Sequence, residues 1–198
     1  MRLALVARHG QSLLNVADLV NGNPALDQGL SDLGRAEAAK LAGQLAAVAI
    51  DLLVVSEFPR AQETAALALA GRDVPRVVEP GLNDVKIGDL EGKSLADYRA
   101  WKKAHRHDEP FPGGESLVEA ALRYAEAYER VLARGEETIL VVCHEIPVRY
   151  AVNAAAGSNN LDGPTHDIAN ATPYVFDAEG LRRAVNGMRT AAQDVERA

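Results

Sequence analysis

The sequence predicts an α/β fold: a three-layer sandwich with a mainly parallel central sheet, helices on both faces, and an edge hairpin near the C-terminus. Three observations lead there. Short, largely apolar runs recur at residues 2–7, at "DLLVVS" (51–56) and at "TILVVCH" (138–144). They have the length and composition of strands buried on both faces. Segments with helical spacing lie between them, and parallel strands need such crossovers to cover the sheet. Finally, "PYVF" and "LRRAV" flank Asp177–Gly180, which reads as a hairpin.

The elements follow in order. After the first strand, Ser31 is placed to cap a helix carrying Leu33, Leu41, Leu45 and Val48. A second helix follows Pro59, marked by Ala61, Ala65, Ala68 and Leu69. The clearest helix runs from Ser116 to Leu132, where Val118, Ala121, Leu122, Ala125, Tyr128 and Leu132 form an apolar face; Glu119, Arg123 and Glu126 are expected toward solvent. Residues 84–115 carry Gly88, Gly92, Pro110, Pro112, Gly113 and Gly114 around one short helical piece. They read as a lid-like excursion over the sheet edge. From about Asn186 the chain is polar with scattered alanines, a short helix or a frayed tail.

Composition narrows the function. With 198 residues, 47% of them apolar, and no repeat or linker, residues 1–198 are expected to form a single domain. A formal charge of −7 argues against nucleic acid or an acidic membrane surface as a partner, so any anion must be bound locally. Cys143 is the only cysteine, which rules out an intramolecular disulfide. The first apolar run breaks at Arg8, too early for a secretory core, and no stretch is long enough to span a bilayer. A cytoplasmic protein is expected. Oligomeric state is left open, a homodimer included.

Ligands of open α/β sheets collect beyond the carboxyl ends of the strands. Arg8 and His9 leave the first strand, Ser56 and Arg60 follow the second, and His144 leaves the third. Each alone is an ordinary polar terminus. Together, two guanidinium groups match the oxygens of a phosphoryl group without a metal. A neutral imidazole can attack phosphorus, and a protonated one can hold an oxygen as charge builds. A carboxyl group with a raised pKa would complete the set by protonating the leaving oxygen. These chemical arguments do not say which histidine attacks. No metal-ligand spacing joins His9 and His144, while His105 and His107 form H-x-H inside the charged stretch "KKAHRHDE", the pattern of a solvated face. Neither a metal nor a cofactor is expected. Cys143 and Arg149 have the C-x5-R spacing of cysteine-dependent phosphatases, but "HEIPV" between them lacks glycine, and Pro147 removes a backbone donor. Cys143 therefore reads as a buried strand residue.

"ARHGQSLLN" resembles the R-H-G-x-[T/S]-x-x-N signature of the histidine phosphatase superfamily, which includes cofactor-dependent phosphoglycerate mutases. The resemblance extends through "LSDLGRAEA" (30–38), "SEFPRAQETA" (56–65), "GGES" (113–116) and "VVCHEIPVR" (141–149). It implies that His9 is the nucleophile and that Arg8, Arg60 and His144 surround the phosphoryl group. It further implies that Asp84 is the general acid, with Asp89 and Glu91 as nearby decoys. Ser12 and Asn15 fall on the motif's polar positions, as substrate contacts or as helix caps. One departure is Glu145, where relatives commonly carry glycine. Glu145 would repel substrate, raise the pKa of His144 or meet a cationic part of the substrate; alternatively it points away as a first-turn acid favoured by the helix dipole.

The resemblance implies a metal-independent hydrolase acting on a small-molecule phosphomonoester through a phosphohistidine, because compact members tend to be phosphatases and mutases tend to be longer. A mutase must shield its phosphohistidine from water, and Tyr98, Trp101, Lys102, Lys103, His105 and Arg106 could supply cover. Tyr98 and Trp101 could equally anchor a short helix. A phosphate-binding regulatory module without turnover is the third reading, motivated by Glu145 alone.

Overall fold

The computed structural model describes residues 1–197. Five strands form one sheet in the order β3-β2-β4-β1-β5. They are β1 (Leu3–Arg8), β2 (Leu52–Val55), β3 (Arg76–Val78), β4 (Thr138–Cys143) and β5 (Pro173–Asp177). The β1–β4, β4–β2 and β2–β3 pairs are parallel, and β5 runs antiparallel to β1. Among the described residues the helices are α1 (Leu13–Val16), α2 (Asp32–Gln44), α3 (Pro59–Ala68), α4 (Leu95–Ala104), α5 (Leu117–Leu132), α6 (Glu145–Ala155) and α7 (Ala178–Arg197).

Strand alternation sorts the core into two layers. Ala4, Val6, Leu52, Val54, Ile139, Val141 and Cys143 point to the face covered by α5, α6 and α7. Leu5, Ala7, Leu53, Val55, Leu140 and Val142 point to the face covered by α2 and α3. Because both faces are buried, the inner strands have no polar side, which is why they read as continuous apolar runs. The parallel β1 and β4 are in register from Leu3↔Thr138 to Arg8↔Cys143, so His9 and His144 leave the sheet side by side.

The C-terminal region corrects the sequence reading. There is no hairpin: β5 is a single antiparallel edge strand, and "LRRAV" lies within the 20-residue α7. Leu181, Ala184, Val185, Met188, Ala191 and Ala192 are buried along one side of that helix, at spacings of three and four residues. The edge strand β3 was not foreseen. In α2, Ser31 caps Gly34 N–H as expected, but Leu33 is exposed and Val48 lies beyond the helix. In α5, Ser116 and Glu119 form a reciprocal capping box, and Arg123 is drawn inward rather than toward solvent.

Candidate active site

Glycine lets the first catalytic-looking loop sit tightly on the body. A Cβ at Gly10 would lie 2.4 Å from the Gly34 carbonyl oxygen, so no larger residue fits there without moving α2. Thr64 adds a clamp: its hydroxyl donates to the Arg60 carbonyl at 2.7 Å and accepts from Gly10 N–H at 2.9 Å. From the other side, Asn170 donates to the His9 carbonyl at 2.8 Å.

The two histidines meet as edge and face, with ring centroids 5.3 Å apart at 64°. Both are buried. His9 Nδ1 lies 2.7 Å from the Gly10 carbonyl, which can only accept, so Nδ1 carries the proton. Its Nε2 accepts from Arg60 Nε at 3.0 Å and therefore holds a lone pair. Burial pushes the His9 pKa well below the usual imidazole value, with the Arg60 and Arg8 charges adding to the effect. His9 is thus a neutral imidazole with a fixed tautomer and a lone pair on Nε2.

Arg60 organises the cluster. Its Nη2 donates to His144 Nδ1 at 3.1 Å and reaches Asp84 Oδ2 at 3.3 Å, while Nη1 donates to Asn21 Oδ1 at 2.6 Å. Asp27 accepts the Arg60 backbone N–H at 2.7 Å and sits 3.5 Å from Nη1. Phe58 packs under the guanidinium at 4.2 Å and against the His144 ring at 4.5 Å. His144 Nε2 is 2.9 Å from the Ser56 hydroxyl. With Nδ1 accepting from Arg60, His144 donates to Ser56 and is neutral. Burial, Arg60 and His9 lower its pKa well below the usual value.

Asp84 lies 3.6 Å from His144 Nδ1. Burial raises its pKa, and Arg60 opposes that rise. Its loop is held from α5: Arg123 donates to the carbonyls of Gly81 and Asn83, each at 2.9 Å, and of Asp84 at 3.3 Å, while also pairing with Glu115. Of the two decoys, Asp89 is exposed, and Glu91 braces Asn21 and Gly22 N–H.

Arg8, His9, Ser12, Asn15, Asn21, Arg60, Asp84 and Glu145 border one cavity of about 760 Å³. Ser12 and Asn15 cap α1 reciprocally, with Ser12 Oγ accepting Asn15 N–H and Asn15 Oδ1 accepting Ser12 N–H. Arg8 Nη1 donates to the Ile168 carbonyl at 2.9 Å. Its Nε is buried without a partner among the described residues, the kind of donor an oxyanion satisfies. Glu145 does not point away: it is a first-turn acid of α6, yet it reaches Arg8 at 3.1 Å and Arg149 at 3.2 Å. The His144 pKa is lowered, not raised, with burial, Arg60 and His9 as the largest causes.

The 84–115 excursion walls this cavity through Val85, Ile87, Leu95, Tyr98, Lys102 and Lys103. Trp101 instead stacks on His105 and Phe111, and Arg106 pairs with Asp108, so these residues brace the segment rather than the cavity. Cys143 is fully buried, its thiol pushed up to about 12 by burial, which removes the thiolate that the C-x5-R reading required. Among the described residues no group of three or more histidine, cysteine or acidic side chains is arranged to hold a metal, and no helix is long and apolar enough to cross a membrane.

Sequence reasoning missed Asn21, Asp27, Phe58, Thr64 and Arg123. Asp27 and Asn21 lie in "NGNPALDQ", an irregular segment whose only local signal was turn-forming residues. Their contacts to Arg60 exist only once the chain is folded.

The histidine phosphatase superfamily (branch 1) profile matches residues 4–190. The chain belongs to that superfamily. A 2,3-bisphosphoglycerate-dependent phosphoglycerate mutase of Methylobacterium sp. (strain 4-46) is 35% identical over 88% of this chain and 90% of its own. Among solved structures, the α-ribazole phosphatase of Shigella flexneri superposes with a TM-score of 0.72 at 27% identity, covering 88% of this chain and 90% of that one. A mycobacterial glucosyl-3-phosphoglycerate phosphatase does so with a TM-score of 0.63 at 27% identity, covering 78% of each. The superfamily performs phosphoryl transfer through histidine. One expectation is corrected here: the chain spans 90% of a relative named as a mutase, so compactness does not separate phosphatase from mutase.

Proposed function

We propose that this protein is a metal-independent phosphomonoester hydrolase working through a phosphohistidine at His9. The observation that carries the reading is the single Arg60 guanidinium that joins His9 Nε2, His144 Nδ1 and Asp84 Oδ2 within 3.0 to 3.3 Å. A tetrahedral phosphoryl group bound against Arg60 and the free Arg8 Nε brings phosphorus to the His9 lone pair. Its negative charge offsets the guanidinium field at His144, so His144 takes up a proton and donates to an equatorial oxygen. Asp84, with its raised pKa, protonates the departing alcohol and then accepts a proton from the water that attacks the phosphohistidine. Ser12 and Asn15 border the same cavity and serve as substrate contacts from the α1 cap.

Hydrolysis rather than mutase transfer is favoured by the outer cavity. A mutase must hold a second anionic group and exclude water. Here Arg149 and Lys102 are already paired with Glu145 and Asp162, and the remaining cavity cations, Arg99 and Lys103, are exposed. Likeness to two phosphatases supports the same side. The mutase reading rests on the 35% identical relative. Release of phosphate from p-nitrophenyl phosphate and from a panel of phosphomonoesters, with and without chelator, tests the proposal. A mutase-coupled assay with phosphoglycerates runs alongside. Interconversion of phosphoglycerates without net phosphate release would replace hydrolase by mutase, and loss of activity on chelation would overturn the metal-free mechanism.

A further inference from the structure

Glu145 occupies an unusual place for a carboxylate. It begins α6 immediately after His144 and borders the cavity, and its two oxygens are shared between Arg8 at 3.1 Å and Arg149 at 3.2 Å. Arg149 is held in turn by Asp162 at 2.9 Å, and Asp162 also takes Lys102 at 3.1 Å and His107 at 3.3 Å. This chain of ion pairs ties α6, α4 and the segment before β5 together beside the phosphoryl site. Its effect on recognition is specific. Arg149 and Lys102 are neutralised by protein carboxylates, and the cavity lining also includes the apolar Leu14, Leu19, Val20, Val85, Ile87 and Leu95. Beside Glu145, an added carboxylate or phosphate on the substrate would have to displace it from Arg8 or Arg149 or lie against it, which is costly in a half-buried wall, and the cavity's other cations, Arg99 and Lys103, are exposed to solvent.

We infer that Glu145 is a charge filter for the alcohol half of the substrate, excluding phosphomonoesters with a second anion a few atoms from phosphorus and admitting uncharged, hydroxylated or apolar alcohol esters. The inference rests on the phosphomonoester reading of the same site. A cavity of about 760 Å³ accommodates an alcohol much larger than glycerol, so the filter acts on charge rather than size. Specificity of this kind arises from repulsion built against the wrong ligand as much as from attraction to the right one.

The test compares two probes that differ in one group: the non-hydrolysable phosphonate analogues of glycerol 3-phosphate and of 3-phosphoglycerate. Their dissociation constants are measured by calorimetry on the wild-type chain and on Glu145→Gln. The wild type should bind the glycerol analogue about tenfold more tightly, the size expected for one like-charge contact at the edge of a protein. Glu145→Gln should bring the ratio close to one, chiefly by tightening the glycerate analogue. Equal or better binding of the glycerate analogue by the wild type overturns the filter before any variant is made. A ratio unchanged in folded Glu145→Gln overturns it as well, as does parallel weakening of both analogues, which would mean that Glu145 only positions Arg8. Turnover of p-nitrophenyl phosphate is read separately. Its absence with the binding shift intact would defeat the hydrolase reading and leave the filter standing.

Discussion

His9 has both ring nitrogens committed, Nδ1 to the Gly10 carbonyl and Nε2 to Arg60, so its tautomer is set before any substrate arrives. Replacing it with alanine removes the proposed nucleophile and should lower kcat by at least about 10³, read as phosphate release. The fold should survive with a loss of about 1 to 2 kcal/mol in urea unfolding, because the Gly10 carbonyl and Arg60 Nε lose a partner. Asp84→Asn should act differently on different esters. An alkyl phosphate, whose alcohol leaves only with a proton, should lose about 10² to 10³ in kcat/KM, whereas p-nitrophenyl phosphate should lose less than about tenfold. Equal losses on both would remove Asp84 from the role of acid. Cys143→Ser should leave turnover intact, since the thiol is buried and held protonated.

At the scale of elements, the strand ends that meet at the site were legible because doubly buried strands have a nearly continuous apolar pattern, with "RHG" and "CHE" at the ends of β1 and β4 and "PRAQ" shortly after β2. The supports of the site were not. Arg123 sits on the polar side of α5 by periodicity, yet it turns inward to the carbonyls of Gly81, Asn83 and Asp84, which sequence spacing does not encode. Strand β3 has three residues and an exposed arginine, too little pattern to distinguish from a loop. Helix α7 was obscured by Asp177–Gly180, read as a turn, and by the polar composition from Asn186 onward, although its buried stripe has helical spacing throughout. Gly187 has a packing reason: a Cβ there would come within 2.9 Å of the Ala154 Cβ on α6. The reading of Arg123 as a positioning residue is testable. Arg123→Met should cost about 2 kcal/mol by stranding Glu115 and should slow alkyl esters more than p-nitrophenyl phosphate, repeating the Asp84→Asn pattern in weaker form. Arg123→Lys should restore part of the stability but little of that selectivity, because an ammonium cannot span three carbonyls and a carboxylate as a planar fork does.

For the whole molecule, the phosphoryl site imposes a pH dependence on stability. His9 and His144 both have pKa values lowered well below the ordinary 6.5. Above that value neither state of either residue holds the second ring proton, and the native state has no disadvantage. As the pH falls below 6.5 the unfolded chain takes up two protons that the native chain refuses, so stability decreases with a slope of up to about 1.4 kcal/mol per pH unit for each histidine. Asp84 works in the opposite sense: its pKa is raised by burial, so as the pH falls the native state takes up its proton before the unfolded chain does, which offsets part of the loss. Between pH 7 and pH 5.5 the two histidines outweigh the one carboxyl, and urea unfolding should register a loss of up to about 2 to 3 kcal/mol. His9→Ala removes one of the two groups and should halve that loss. Vanadate, by placing negative charge between the guanidinium groups, raises both imidazole pKa values and should flatten the profile in the wild type. A profile that is flat in the wild type without vanadate would mean that the two rings are not held neutral by the fold, and the neutral nucleophile at His9 would go with them.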